Sequence, residues 1–241
     1  GSSIETLVSY YSVYQFVPFK RLQHMFSHIF SLPLSQGSIA NIIKRSAEKA
    51  SIVYDRIKEE ILEAKVVGSD ETGAKVNGDK QWIWVWQNEL NTYIKSSKNR
   101  GFDTINSIFK NGLPNATLIS DRWSAQLKTA TFQKQICLAH LMRDSTYLIE
   151  LEKHEFSTNF KQLLVDIFEH KRIIILNQQA YNLESTEAKT LEKRLNDALS
   201  ITIDSNKYPE TKTLQKSMIK YRNFILPCIY QIEIPPDNNG S

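Results

Sequence analysis

Residues 64–87 read AKVVGSDETGAKVNGDKQWIWVWQ, and the pattern in this stretch decides the fold. Its apolar beginning predicts a strand from Val66 to about Val76. Asn77-Gly78 is a strong hairpin signal, because both residue types tolerate the positive φ that a tight turn needs. A second strand is predicted at 81–87. Since that strand is apolar on both faces, we expect it inside a sheet that is covered on both sides.

The tryptophans of this second strand share one face of it. Trp82, Trp84 and Trp86 alternate with Ile83 and Val85, and side chains two residues apart point to the same side of a strand. The favoured interpretation is core packing. The alternative is a platform on which bases or sugars stack.

The pattern that follows extends the sheet. A third strand is predicted at 92–96, and the further elements are a helix at 102–110, strands at 116–120 and 133–137, and a helix at 138–152. A strand, a crossover helix and a second strand favour a parallel neighbour in the same sheet. The sequence therefore predicts an α/β fold with a mixed sheet flanked by helices.

Helical patterns flank this core on both sides. We predict a helical lead-in at 1–63, the core at 64–153, an all-helical insertion at 154–232 and an extended segment at 233–241. In the lead-in, Pro33 interrupts the periodicity and Ser35 is a plausible N-cap for a second helix that runs on toward Leu62. Helix, break and helix with Lys44 and Arg45 fit a DNA-reading helix-turn-helix. The alternative is a lead-in that packs on the next domain.

Composition narrows the class of protein. The 241 residues include 30 Lys and Arg against 26 Asp and Glu, a net charge of +4, which is compatible with nucleic acid without identifying it. Two cysteines cannot build a disulfide framework, so we expect a reducing, cytoplasmic location. No run of eighteen apolar residues occurs, which argues against a membrane span. Because the chain starts Gly1-Ser2 rather than with Met, we expect a fragment without its flanking domains.

Two acids are the main chemical feature. Asp70 and Asp121 each close an apolar run, and parallel strand ends meet at one edge of a sheet, where ligands usually bind. Paired carboxylates there suit Mg²⁺ or Mn²⁺, which prefer oxygen ligands and serve phosphoryl transfer. The alternative for each Asp is a turn or a helix cap. Alternation points Glu71 to the face opposite Asp70, so we expect it to form a salt bridge or to support the ligands from behind rather than to bind the metal itself.

Other constellations are weaker. Cys137 and His140 have half of a zinc spacing, but the only other cysteine, Cys228, is distant, and a structural zinc needs four ligands. The chain has neither a Gly-x-Ser-x-Gly nucleophile elbow nor a glycine-rich phosphate loop. His140, at the start of a predicted helix, is better interpreted as lining the site, and Arg143 one turn on can face the same way.

Four ordered blocks carry a family resemblance, and together they span residues 66–239. They are Asp70-Glu71-Thr72-Gly73 with Val76-Asn77-Gly78 and Trp82-Ile83-Trp84-Val85; Ser120-Asp121-Arg122-Trp123-Ser124-Ala125; Cys137-Leu138-Ala139-His140-Leu141-Met142-Arg143-Asp144; and Pro235-Pro236-Asp237-Asn238-Asn239. In this order they resemble the catalytic domain of the insertion-sequence family 66 transposases. Each block is weak alone, and the ordered set is specific.

The resemblance implies a ribonuclease H-like fold with an Asp-Asp-Glu triad and a helical insertion before the third acid. Asp70 would be the first acid and Asp121 the second. In the family pattern the Glu follows the Asn pair after two residues, here Gly240 and Ser241. We therefore expect the third acid, and the N-terminal DNA-binding region, to be missing from this fragment, which would be inactive by itself.

The implied activity is metal-dependent cleavage and strand transfer of DNA. Two Mg²⁺ or Mn²⁺ ions would be held by Asp70, bridging both, and by Asp121. His140 and Arg143 would contact phosphate or orient the ligands, with Asn238 and Asn239 beside the site. The implied partner is DNA, both the transposon ends and the target. No membrane partner is expected, and self-association stays open.

Two rival hypotheses remain at this point. A glycoside hydrolase would use a carboxylate pair at a set separation, with exposed tryptophans for sugar stacking. A non-catalytic DNA-binding or assembly module would use the same acids as structural caps, and its DNA binding would respond to salt but not to divalent metal.

Overall fold

The computed structural model describes residues 1–176 and 185–239. The chain divides into two compact units, Gly1–Lys58 and Glu59–Ser241. Residues 177–184 of the predicted insertion, and Gly240 and Ser241 of the third block, lie outside the described residues. The domain boundaries proposed from the sequence stay predictions.

The first unit is helical, as predicted. Its elements are α1 (Ser2–Ser9), a π-helical turn (Tyr10–Tyr14), α2 (Phe19–Phe30), α3 (Gln36–Lys49) and the first part of α4 (Ser51–Glu63). The predicted N-cap is confirmed, because Ser35 Oγ accepts the backbone N–H of Ser38 at 3.0 Å. A buried cluster holds the unit together and comprises Val8, Leu22, Phe26, Ile39 and Ile42.

The expectation of one helix from Ser35 toward Leu62 is wrong. The helix is interrupted at Ala50, between α3 and α4. Ser51 Oγ donates to the carbonyl of Glu48 at 2.9 Å, and such a local side-chain bond competes with continuous helical bonding. The basic end of α3 is also engaged, since Arg45 and Lys49 pair with Glu5 of α1 at 3.1 and 2.8 Å.

The second unit contains the predicted mixed sheet. Among the described residues the strands are β1 (Val66–Val76), β2 (Asp79–Gln87), β3 (Thr92–Ser97), β4 (Leu113–Ser120) and β5 (Thr131–Ile136). Their order is β3-β2-β1-β4-β5. β1 pairs antiparallel with β2, and β2 with β3, whereas β1 and β4, and β4 and β5, are parallel. This confirms the α/β class and the parallel crossover.

Turn chemistry explains the strand ends. The hairpin between β1 and β2 has φ of 53° at Asn77 and 88° at Gly78, as the sequence predicted. β4 begins three residues before the predicted Ala116, because Leu113 already pairs with Thr131 of β5. The sequence did not predict this early start because of Pro114, since proline is a poor strand residue except near a strand end.

Helices surround the sheet. They are α5 (Phe102–Ile108), α6 (Ser124–Lys128), α7 (Leu138–Leu151), α8 (Glu155–Leu176), α9 (Thr186–Ser200), α10 (Pro209–Lys220) and α11 (Pro227–Tyr230), with a 3₁₀ turn at Arg222–Phe224. The short helix α6 was not predicted. Within the predicted all-helical insertion, α10 ends at Lys220, and the chain continues as the 3₁₀ turn and α11.

The two faces of the sheet are covered unequally. Trp84 and Trp86 are fully buried and stack with 5.7 Å between ring centroids, so core packing is confirmed for these two rings. The opposite face of β2, with Ile83 and Val85, is only half-buried. The expectation that β2 is covered on both sides is therefore wrong for that face. The large buried cluster formed by the C-terminal helices lies on this face of the sheet. It includes residues of β1, β4 and β5, but none of the described residues of β2 or β3.

Candidate functional site

Asp70 and Asp121 are brought to matching positions on neighbouring parallel strands. In the β1–β4 pairing, Gly68 is the partner of Ile119. Asp70 lies two residues beyond Gly68 and Asp121 two residues beyond Ile119, so both continue the same register. Adjacent strands are about 4.8 Å apart. Asp121 directly follows the end of β4, whereas Asp70 lies inside β1, which continues to Val76 as the hairpin with β2. The expectation that both acids follow a strand end is therefore wrong for Asp70, although the two acids lie side by side.

The two side chains also share a face. Val66 and Ile119 both pack on the large cluster of the helical insertion, and residues two apart on a strand point the same way. By this alternation Asp70 follows Val66 and Gly68, and Asp121 follows Ile119. Both carboxylates thus leave the sheet on the side that carries α7 and α8.

Each carboxylate is partly tied to its own backbone. Asp70 Oδ1 accepts the N–H of Glu71 at 2.9 Å, and Asp121 Oδ1 accepts the N–H of Trp123 at 3.0 Å. The second contact is the turn role expected of an isolated Asp. Asp70 is exposed and Asp121 half-buried. The turn role and a ligand role are compatible, because each group has a second oxygen.

Glu71 faces away from the pair, as alternation predicted. Its side chain is 1% exposed and accepts two N–H groups of Arg100, from Nε at 3.0 Å and Nη2 at 2.6 Å. Its other oxygen accepts the Gln126 amide at 2.9 Å. Burial raises the pKa of Glu71 to about 7, against the opposing effect of Arg100. The predicted salt bridge is present.

A cleft of about 450 Å³ lies beside Asp121. His140 and Asp144, one turn apart on α7, line it together with Arg122, which pairs with Asp144 and donates to Ser217 Oγ at 3.1 Å. His140 Nδ1 is buried and has no hydrogen-bond partner among the described residues. Of the sequence candidates, the cleft thus brings Asp121 and His140 together. Its further lining residues are Trp123, Ile136 and Tyr221.

Arg143 does not line this cleft. It lies on the exposed surface of α7, one residue before Asp144. A spacing of three residues turns the helix by somewhat less than one full turn, whereas the spacing of four from His140 to Asp144 slightly exceeds one. Arg143 and Asp144 therefore project on opposite sides of His140 around the helix axis, and the cleft lies on the Asp144 side. Arg143 is consequently available to solvent and to a solvent-borne partner.

The asparagine pair is split between the interior and the surface. Asn238 is 6% exposed, and its amide donates to the carbonyl of Ser69 at 2.8 Å. Its own carbonyl accepts from Gln87, and a Cβ built on Gly68 would lie 3.4 Å from its Cβ. Asn239 is exposed. The C-terminal segment therefore passes directly alongside β1, next to Asp70.

The donor set agrees in kind, but not in number, with a divalent metal site. Asp70 and Asp121 supply hard carboxylate oxygens from matching positions, which is the chemistry that Mg²⁺ and Mn²⁺ prefer. Asn238 Oδ1 is a further buried oxygen without a hydrogen-bond partner in the described residues. However, the described residues contain no group of three or more His, Cys, Asp or Glu placed to hold a metal. The two acids fit such an ion as a partial ligand set, and nothing in residues 1–176 and 185–239 supports the four-ligand zinc alternative.

Comparison with known proteins identifies the family. A family model described as "Transposase IS66 family" matches residues 1–241, the whole chain. The chain belongs to the IS66 transposase family. Membership makes it a transposase domain, and the family implies DNA binding and use of a divalent metal ion. Comparison with curated proteins finds no match. None of the helices in the described ranges is long and apolar enough to cross a lipid bilayer.

Sequence reasoning about this IS66 family member missed three residues near the acids. Arg100, Gln126 and Asp144 contact residues next to Asp70 or Asp121. Arg100 lies in a loop and Gln126 in a five-residue helix. Neither residue lies in a stretch whose apolar residues recur with helix or strand periodicity. Asp144 had a usable signal, since it is four residues from His140 and closes the third quoted block.

The aromatic platform of the glycoside hydrolase hypothesis is mostly absent from the surface. Trp84 is 0% and Trp86 1% exposed, so neither ring can stack on a sugar. Trp82 is half-buried and contacts the cationic groups of Lys80 and Arg100, which lie 4.5 and 4.6 Å from its ring centroid. These rings stabilise the sheet rather than presenting a carbohydrate surface.

Proposed function

We propose that this chain provides the catalytic core of a DNA transposase, with Asp70 and Asp121 as ligands of Mg²⁺ or Mn²⁺. The activity is phosphoryl transfer, first cleavage at the element ends and then strand transfer to target DNA. The observation that carries the proposal is the shared register and shared face of the two acids, Asp70 inside β1 and Asp121 directly after β4. Family membership supports the transposase class.

The bound metal would act as a Lewis acid that offsets charge at phosphate and lowers the pKa of a bound water. The protein's own groups set the geometry. Asp70 and Asp121 supply anionic oxygens on a rigid sheet, and the N–H groups of Glu71 and Trp123 each hold one carboxylate oxygen in place. Hydrogen bonds of this kind orient the carboxylates that bind a metal.

The third acid of the proposed triad is a Glu that follows the Asn238-Asn239 pair. In support, Asn238 lies against Gly68 and Ser69, so the last described residues lie beside the part of β1 that carries Asp70. We propose that Gly240 and Ser241 lead to this Glu in a longer polypeptide, and that the ribonuclease H-like assignment holds for the sheet. With two of three acids, the 241-residue chain is inactive by itself.

The remaining site residues have supporting roles. His140 lines the cleft beside Asp121 and is proposed to contact a phosphate or to orient a ligand. Arg143, exposed on α7, is proposed to contact phosphate, which arginine binds through a planar fork of N–H groups. Asn238 and Asn239 hold the C-terminal segment at the site. The partner is DNA, and the proposed location is the cytoplasm.

The test is strand transfer on element-end DNA. The assay uses a polypeptide that continues from this chain through the proposed Glu, as wild type, Asp121→Asn and Asp166→Asn. Asp166 is a matched control, because it pairs with Arg194 at 2.7 Å in the helical insertion. We expect Asp121→Asn to lose more than about 100-fold, beyond the usual effect of residues behind the ligands, and Asp166→Asn to keep activity. Undiminished activity of Asp121→Asn would refute the assignment.

Calorimetry with Mn²⁺ tests the two-acid state directly. For the 241-residue chain we expect weak binding and no DNA cleavage, because the ligand set is partial. Micromolar binding at two sites would contradict the proposal. DNA binding that responds to salt and not to Mn²⁺, without cleavage by the longer polypeptide, would instead favour the non-catalytic DNA-binding module.

A further inference from the structure

Arg100 contacts both of the segments that carry the acids. Its guanidinium binds Glu71, the residue after Asp70, through two N–H groups at 3.0 and 2.6 Å. Its backbone carbonyl accepts the indole N–H of Trp123, two residues after Asp121, at 3.0 Å. One residue thus joins the β1 segment to the turn that follows β4.

Gln126 makes a second connection of the same kind. Its amide nitrogen donates to Glu71 Oε2 at 2.9 Å and to Ser69 Oγ at 3.2 Å, so it contacts the residues on both sides of Asp70. Gln126 is fully buried in α6, the helix that starts three residues after Asp121. The position of β1 at Asp70 is therefore coupled to the chain just beyond Asp121.

Aromatic rings fix the orientation of the guanidinium. Its carbon lies 3.8 Å from the ring centroid of Trp123 and 4.6 Å from that of Trp82. Arginine stacks on aromatic faces and binds carboxylate as a planar fork, and lysine can do neither in the same geometry. The contact requires the shape of arginine as well as its charge.

Stability alone is a weak explanation of this network. Well-packed apolar residues often replace a buried ion pair at no cost in stability, and in some proteins such a pair serves instead to specify one arrangement of the groups that it joins. Here the joined groups are the neighbours of the two proposed metal ligands. In the hydrogen bonds described, no side chain of the network reaches either carboxylate, although the backbone N–H of Glu71 donates to Asp70 Oδ1 at 2.9 Å. The side chains of the network therefore act on the acids indirectly.

We propose that Arg100, Glu71 and Gln126 form a positioning clamp that sets the spacing of Asp70 and Asp121 for metal binding. The clamp rests on the proposed function, because it matters only if the two acids bind metal. It predicts that loosening the clamp weakens metal binding and slows cleavage while DNA binding is preserved.

The test compares Arg100→Lys and Glu71→Gln with a matched control in the polypeptide that continues through the proposed Glu. Arg100→Lys keeps the charge but loses the fork and the stacking. Glu71→Gln is nearly isosteric and loses the charge. The control is Glu192→Gln, which removes a more exposed Glu–Arg pair, with Arg222 at 2.8 Å, in the helical insertion. Circular dichroism and thermal unfolding verify that all three variants fold.

The readouts are the Mn²⁺ dissociation constant from electron paramagnetic resonance, and kcat and KM for element-end DNA. For both clamp variants we expect the Mn²⁺ dissociation constant to rise and kcat to fall by about 10- to 100-fold, the usual effect of residues that orient ligands. KM for DNA should stay within about twofold. Glu192→Gln should change none of the three values.

The outcomes separate the clamp from the proposed function. If Asp121→Asn abolishes cleavage but both clamp variants keep wild-type Mn²⁺ binding and kcat, the clamp is refuted and the proposed function stands. If Asp121→Asn also has no effect, the proposed function fails. A loss of thermal stability with unchanged Mn²⁺ binding would show that the network is merely structural, and this too would overturn the clamp.

Discussion

The ammonium group of Lys171 lies 2.8 Å from the carbonyl oxygen of Cys228, inside the helical insertion. It also donates to the carbonyl of Gln231 at 2.7 Å. Both acceptors belong to the end of α11, where carbonyls have no partner within the helix. Lys171 therefore ties α8 to the segment that continues to Asn238 and the acids. Burial lowers the pKa of Lys171 to about 8.

This lowered pKa predicts a pH dependence of stability. Between pH 8 and the ordinary lysine value of 10.5, the unfolded chain holds a proton that the folded chain has released. The free energy of unfolding contributed by Lys171 therefore rises with pH across this window, by up to about 3 kcal/mol. Lys171→Met should remove that rise. Urea denaturation from pH 7 to 10.5 measures it as the difference between wild type and variant.

A control on the same helix isolates the effect of Lys171. Lys161→Met changes a lysine of α8 that is not fully buried, and it should retain the wild-type dependence on pH. Identical pH profiles for wild type and Lys171→Met would contradict the prediction. Tyrosines and other groups that titrate in this range cancel in the comparison, because all three proteins contain them.

Local chemistry explains which parts of this fold the sequence predicted. The hairpin at Asn77-Gly78 and the cap at Ser35 depend on backbone preferences of one or two residues. The approach of Asp70 and Asp121 follows from a general rule for strand–helix–strand units, which needs no knowledge of side-chain contacts. These features could be predicted because their causes lie within a few residues or in topology.

The remaining contacts join residues that are far apart in the chain. Arg100 and Glu71 are 29 residues apart, and Gln126 and Glu71 are 55 apart. No periodicity marks such pairs in one sequence, and helix α6 has only five residues, too few for a helical pattern. The break at Ala50 and the early start of β4 were missed because propensity favoured the other outcome at each site.

Tryptophan substitutions should separate the buried rings from the half-buried ring. Trp86 is buried and meets Phe109 edge-on at 5.1 Å, so Trp86→Ala should lower the free energy of unfolding by about 3–5 kcal/mol. Trp82→Ala removes a partly exposed ring that touches two cations and should cost about 1–2 kcal/mol. Denaturant unfolding measures both. Equal costs would mean that the rings are equally buried.

Two glycines with positive φ should respond differently to alanine. Gly78 (φ 88°) is open to solvent, so Gly78→Ala should cost about 1–2 kcal/mol from the left-handed backbone alone. At Gly112 (φ 68°) an added Cβ would clash with the backbone of Ala130 on the neighbouring chain segment. Gly112→Ala should therefore cost more than about 3 kcal/mol. Thermal unfolding ranks the two, and a larger loss for Gly78→Ala would contradict the assigned clash.

The asparagine pair provides the closest matched comparison at the site. Asn238→Ala removes the amide that donates to the Ser69 carbonyl, one residue before Asp70, and should lower the free energy of unfolding by about 1–3 kcal/mol. Asn239→Ala changes an exposed side chain, while the backbone N–H of Asn239 keeps its bond to Asp237 Oδ1 at 3.0 Å. Its cost should stay within about 0.5 kcal/mol.

Hydrogen exchange shows where the effect of Asn238→Ala occurs. Because Asn238 joins the C-terminal segment to β1, amides around Ser69 should exchange faster in the variant than in wild type, and those of α3 in the other unit should not change. Asn239→Ala should leave both regions at wild-type rates. If the two variants have equal stability and equal exchange at Ser69, Asn238 does not hold the segment against β1.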